Sequence, residues 1–210
     1  MPIIECVPNI SEGRDLAKVE RIIANAKSVE GATLISCESD ADHNRSVITL
    51  AGTPEGVSEA AFQIYAAAKV EIDLTKHEGE HPRMGAVDVC PFIPVSDASM
   101  EDCVKLAQAL AKRVGEELEL PIYLYEAAAS RPERKNLADI RKGQFEKLRD
   151  LIGNDPDRVP DFGPNAIHPS FGCSAIGARF FLVAWNVNLD SDDIALAKSI
   201  GKAVREKDGG

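Results

Sequence analysis

Apolar positions recur along this chain at two periods, about 2 and about 3.6 residues, and the switches between them lay out strands and helices in turn. Residues 3–8, Ile-Ile-Glu-Cys-Val-Pro, read as a short strand stopped by Pro8. Leu16, Val19, Ile22, Ile23, Ala26 and Val29 share a face at helical spacing, which predicts a helix over about 14–29 with Gly31 near its end. Residues 32–37 and 46–51 are β-rich and flank the polar stretch Glu38–Arg45. A second helix opens with Thr53 as N-cap and Pro54 in its first turn, and its inward stripe is Val57, Ala60, Ala61, Ile64 and Ala68. Val87–Val95 is another strand-like run.

The order strand, helix, strand, strand, helix, strand predicts an α+β fold with a ferredoxin-like βαββαβ subdomain, its antiparallel or mixed sheet carrying helices on one face. Further elements follow. A helix starts at Ser99 with Val104, Ala107, Leu110, Ala111 and Val114 inward, then a strand Ile122–Tyr125, then a helix over about 136–152. Residues 153–175, rich in Gly, Pro and Asn, predict a long ordered loop of the kind that often carries function. Ile176–Leu189 patterns as a strong strand, and Asp190 is placed to cap a helix with Ile194, Ala197, Ile200 and Val204 inward. These two elements either complete the first sheet or open a second unit. The expected division is 1–175 and 176–210.

A chain of 210 residues is long enough for a substantial core. No basic, apolar leader opens it, and no run approaches the roughly 18 apolar residues of a membrane helix, so the expectation is a cytoplasmic protein without membrane contact. Five scattered cysteines without C-x-x-C spacing read as free thiols, with Cys6, Cys37 and Cys90 inside strands. A net charge of −10 argues against a nucleic-acid partner. Positive charge gathers at Arg131, Arg134, Lys135, Arg141, Lys142, Lys147 and Arg149, read first as a solvated face partnered by Glu133, Asp139 and Glu146.

Candidate chemistry lies in three polar clusters. His77-Glu78-Gly79-Glu80-His81 spells the zinc-peptidase pattern H-E-x-x-H, which needs both histidines on one helical face. Gly79 and Pro82 break such a helix, so the stretch is expected to be an irregular loop without metal that presents His81 and Arg83. His81, flanked by Glu80 and followed by Gly85, is the better proton-transfer candidate, while His77 and His168 are taken as surface or packing residues. Pro8–Gly13 forms a strand-to-helix turn that either receives an anion or simply caps the helix. Glu38–Arg45 is either a solvated hairpin loop or a group of carboxylates suited to a metal, to a base or to the wall of a cation site.

Several blocks together resemble the glutamate formimidoyltransferase family: Glu5–Gly13, Asn44–Val47, Gly79–Phe92, Asn136-Leu137, Ile140–Glu146, Pro160–Pro164, Gly177–Arg179 and Asn186–Leu189. The resemblance runs along essentially the whole chain, and it is shared with the transferase half of formimidoyltransferase-cyclodeaminase. It implies transfer of a formimidoyl group from N-formimidoyl-L-glutamate to N5 of tetrahydrofolate as co-substrate, with no metal. A formyl donor is not separated from a formimidoyl donor.

The resemblance places the catalytic base at His81 and an acidic partner at Glu38 or Asp40, and it maps folate contacts onto the loop holding Gly163, Pro164, Asn165 and Gly172. Asn9, Arg45, Arg83, Gly85 and Arg179 are carried with it as substrate-binding positions, the arginines for carboxylates. It implies two similar subdomains, a folate tunnel between them and a homodimer, and the chain is expected to hold the first subdomain with the opening of the second. A non-catalytic folate-binding module is the other reading.

Overall fold

The structure, a computed structural model, describes residues 1–182 and 187–205. Seven strands form one sheet: β1 (Ile3–Cys6), β2 (Asn9–Ile10), β3 (Ala32–Asp40), β4 (Arg45–Gly52), β5 (Val87–Ser96), β6 (Ile122–Glu126) and β7 (Ser174–Ala178). β1 and β2 lie end to end between β4 and β5, parted at Val7-Pro8 because proline has no N–H for the ladder. The spatial order is therefore β3, β4, β1–β2, β5, β7, β6. The first four positions are antiparallel, and β7 runs parallel to both β5 and β6.

Helix α1 (Leu16–Ala24) is shorter than expected. Asp15 caps it by accepting from the Lys18 N–H, and a 3₁₀ turn takes over at Ala26–Ser28. Leu16 lies outside the buried stripe at 60% exposure. Helix α2 (Pro54–Glu71) follows the expected pattern, with Thr53 accepting from Gly56 N–H and all five stripe residues buried. Helix α3 (Met100–Glu117) begins with a capping box between Ser99 and Asp102. These three helices cover one face of the sheet over a core that includes Ile4, Ile48, Tyr65, Phe92 and Leu110.

The single helix expected over 136–152 is two: α4 (Leu137–Arg141) and α5 (Gln144–Leu151). Gly143 at φ +94° and Gln144 at φ +57° turn the chain out of helical geometry between them. The pair packs on the opposite sheet face, where Ile140, Leu148 and Ile152 meet Val89, Tyr123, Tyr125 and Ala175. Helices thus cover both faces, not one.

The strand expected over 176–189 is realised only at Ser174–Ala178, inside the first sheet; residues 179–182 and 187–189 are not strand, and 183–186 lie outside the described residues. The expected boundary after residue 175 falls within β7, and the first compact unit runs to Phe180. The second unit holds helix α6 (Ile194–Ala203), capped by Asp193 rather than Asp190, with Ile194, Ile200 and Val204 exposed rather than inward.

One glycine is tied tightly to this architecture. Gly172 sits at φ +83°, and a Cβ there would stand 2.2 Å from the Met84 carbonyl oxygen. Alanine restricts the unfolded chain, which is worth up to about 1 kcal/mol, but backbone strain and collision outweigh that gain. Gly172→Ala is expected to destabilise the fold by roughly 2–4 kcal/mol, read as a lowered urea midpoint. An unchanged midpoint would contradict the tight packing.

Candidate active site

The second face of the sheet has two halves. Over β5, β7 and β6 it is sealed by α4 and α5. Over β3, β4 and β1–β2 the register lines up Glu38, Val47 and Asn9 in one row, Ser36 and Thr49 in the next, and Ala51 and Glu5 beyond. These side chains are half-buried or exposed. From Arg45 to Ala51 this polar half-face extends about 20 Å at roughly 3.3 Å per residue.

His81 lies at the Arg45 end. The segment 77–86 returns from α2 to β5 as irregular chain after a 3₁₀ turn at Leu74–Lys76, so the two histidines of the H-E-x-x-H pattern share no helix. His81 is half-buried, and its Nδ1 is 2.7 Å from the Pro82 carbonyl oxygen. A carbonyl only accepts, so in the neutral ring Nδ1 carries the proton and Nε2 keeps its lone pair. Burial, and then the positive charges of Arg45 and Arg141, hold its pKa below the usual imidazole range. At neutral pH this is a base in its working form.

The His43 ring stands edge-on to His81, centroids 5.9 Å apart. Its Nδ1 is 3.2 Å from Asp40 Oδ2, and the His43 N–H donates to Asp40 Oδ1 at 2.8 Å. That N–H holds the Asp40 carboxyl below its ordinary range. Asp40 therefore approaches His81 through His43, and Glu38 stays exposed one row along the half-face.

A β-bulge completes the centre. Asn9 pairs with Val89 and Ile10 with Val87, which leaves Asp88 as the extra residue of β5. Asp88 is fully buried, yet its Oδ2 accepts from Arg45 Nη1 and Arg141 Nη2, each at 2.7 Å, and its Oδ1 accepts from Met84 N–H at 2.9 Å. Arg45 Nε also donates to Asn9 Oδ1 at 3.2 Å.

Other expected site residues have structural employment. All five Arg83 N–H groups face acceptors: the Glu146 carboxylate, Gln144, and the Nδ1 and carbonyl of His77. His77 Nε2 in turn donates to the Asn44 carbonyl at 2.9 Å, so His77 is a packing element with both nitrogens committed. Gly85 and Gly172 bridge each other in the backbone, with no space for a ligand between them.

Gly163 packs on the Leu120 carbonyl, while Pro164 and Asn165 are exposed on a loop leaving the same end of the sheet beyond β6. Arg179 lies at the far end of the half-face, near enough to Glu5 and Tyr125 to act on both. In the Pro8–Gly13 turn, Ser11 N–H donates to the Ala86 carbonyl and Gly13 N–H to Asn44 Oδ1, while Glu12 accepts from the Arg14 and Asp15 amides that follow. Of the basic cluster, Arg134 is buried on Asp161, and the half-buried Arg141 is bonded to Asp88.

Asp88 was missed by sequence, while Arg141 and His43 were read only as members of the basic cluster and the Glu38–Arg45 stretch. A lone aspartate inside Val87-Asp-Val-Cys-Pro-Phe92 was the available sign, since a carboxylate in a buried strand demands cations.

Fold and site together define an α+β domain with one open polar sheet face and a neutral histidine at its end. Residues 3–179 match the family model described as formiminotransferase domain, N-terminal subdomain, and the chain belongs to that family. It is 51% identical over 208 residues to the glutamate formimidoyltransferase of Streptococcus pyogenes serotype M1, covering 99% of this chain and 69% of that protein. Identity to the Thermoplasma acidophilum glutamate formimidoyltransferase is 49% over 212 residues, again spanning 69% of the relative. Formimidoyltransferase-cyclodeaminase of Mus musculus is 46% identical over 187 residues, 89% of this chain and 34% of that protein.

Burial lowers the pKa of His77, His81 and His168 together. The unfolded state then takes up protons first as pH falls, so stability is full above about 6.5 and declines through the lowered folded values. Urea midpoints are expected to be lower at pH 5.5 than at pH 7.5. Equal midpoints at the two pH values would show that the histidines are not held neutral.

Proposed function

We propose that this chain is the N-terminal part of a folate-dependent one-carbon transferase that moves a formimidoyl group from N-formimidoyl-L-glutamate to N5 of tetrahydrofolate. The observation that supports it most is the neutral His81 beside Arg45 and Arg141, in a chain about half identical to glutamate formimidoyltransferases over 99–100% of its length. The donors and acceptors of the half-face suit the proposed ligands: Glu38, Asn9 and Thr49 for the polar edges of a heterocycle, and guanidiniums for carboxylates.

Tetrahydrofolate supplies the attacking nitrogen as co-substrate. The C–N bond to the glutamate nitrogen breaks as the bond to folate N5 forms. His81 takes the proton that the attacking nitrogen releases and returns it to the departing glutamate nitrogen, so it ends the cycle neutral. The Pro82 carbonyl on Nδ1 and the Asp88 carboxylate favour the imidazolium while it lasts. Arg45 draws in the donor's carboxylate, and Arg179, at the far end of a half-face about 20 Å long, suits the tail of an elongated second substrate. The exposed Pro164 and Asn165 are the parts of the family's folate loop open to contact.

The same family supports a ferredoxin-like subdomain up to about residue 175, a second one opening after it, a homodimer and a cytoplasmic setting. Among the described residues no helix is long and apolar enough to cross a membrane. A binding-only module has no use for a histidine kept in base form. The test is a steady-state assay with both substrates. His81→Ala is expected to lower kcat by roughly 10²–10⁴-fold with folate binding retained, whereas a parent as inert as the variant would leave only the binding module.

A further inference from the structure

The Arg45–Asp88–Arg141 cluster does more than fill a buried corner. Its three charges sum to one positive charge. Two guanidiniums share one carboxylate oxygen at 2.7 Å each, an arrangement that their mutual repulsion opposes unless the anion between them is fixed. Asp88 is fixed three ways: by the bulge that turns it onto this face, by zero exposure, and by the Met84 N–H on its other oxygen. Met84 lies three residues beyond His81 on the same irregular segment.

We propose that Asp88 is the positioning residue of the site: one oxygen anchors the segment that carries His81, and the other holds Arg45 and Arg141 as a fixed pair of cations beside the imidazole. This rests on the reading of His81 as the base, and it adds how that base is placed and kept unprotonated. The pair comes from distant parts of the chain, Arg45 from the start of β4 and Arg141 from the end of α4. The charged groups around His81 are Asp40 and His43 from the β3–β4 hairpin, Arg45 from β4, Asp88 from β5 and Arg141 from α4, with Glu80 and Arg83 on its own segment. Asp88 raises the affinity of His81 for a proton, and the two arginines lower it.

Opposite charges predict opposite shifts, which loosened packing alone does not produce. The experiment is an NMR titration of the His81 ring protons in the 210-residue chain, assigned by their loss in His81→Gln. Asp88→Asn keeps an acceptor for Met84 but leaves both guanidiniums uncompensated, and the His81 midpoint is expected to fall by about half a pH unit or more. Arg141→Met removes one cation from the half-exposed end of α4, and the midpoint is expected to rise by a similar amount. Arg141→Lys is expected to bring it back toward the parent value.

Should Asp88→Asn fail to fold, the Arg141 pair decides alone. An Arg141→Met midpoint equal to the parent overturns the proposal, and so do shifts of Asp88→Asn and Arg141→Met in the same direction. The titration needs no turnover. An inert parent with the expected opposite shifts would therefore sink the transferase reading and leave the positioning of His81 standing.

Discussion

A carboxylate buried without water must be given counter-charge, and in this protein Asp88 imposes that demand on three separate parts of the chain. Breaking such a buried pair by deleting one partner costs about 3–5 kcal/mol, more than most single core contacts return. The start of β4, the end of α4 and the turn after His81 are drawn to one oxygen pair as a result. Without the bulge at Val87–Val89 the carboxylate would fall on the other face, among the apolar side chains under α2 and α3. The open half-face owes its polar end to that one extra residue.

The two histidines of the apparent zinc motif divide the labour in a way the motif does not suggest. His77 has both nitrogens committed and locks Arg83, which in turn clasps Glu146 on α5. His81 has Nδ1 committed to the Pro82 carbonyl, and its Nε2 has no partner among the described residues. The clasp fixes the start of the segment, the Asp88–Met84 bond fixes its end, and His81 sits between. Arg83 therefore serves the site by geometry, with no donor left for a substrate carboxylate.

How much of this was legible in the sequence follows the range of the interaction. Caps and stripes are local, and Thr53, Ser99 and the α2 stripe lie where their patterns put them. The failures are non-local. Leu16 fits a helical face by spacing, but the core does not extend beneath it. The division of residues 136–152 depends on a left-handed turn at Gly143 whose need is set by the sheet below. Ile176–Leu189 has strand composition throughout, but among its described residues only those up to Ala178 pair in the sheet. At the site, His81 could be named because its neighbours in sequence are its neighbours in space. The pairing of Asp88 with Arg45 and Arg141 could not, because charge partners 43 and 53 residues apart leave no mark on a linear pattern.

The break between α4 and α5 has one more consequence. Arg141 on one side of it is bonded to Asp88, and Glu146 on the other is bonded to Arg83, so the few residues between them act as a calibrated spacer. An α-helical residue turns its successor by about 100°, and one residue more or fewer here would swing an anchor off its partner. Surface connections ordinarily accept length changes across evolution. This one, exposed at Lys142 and Gln144 but held by the buried Phe145, should behave like a ruler, freer to vary in lettering than in length.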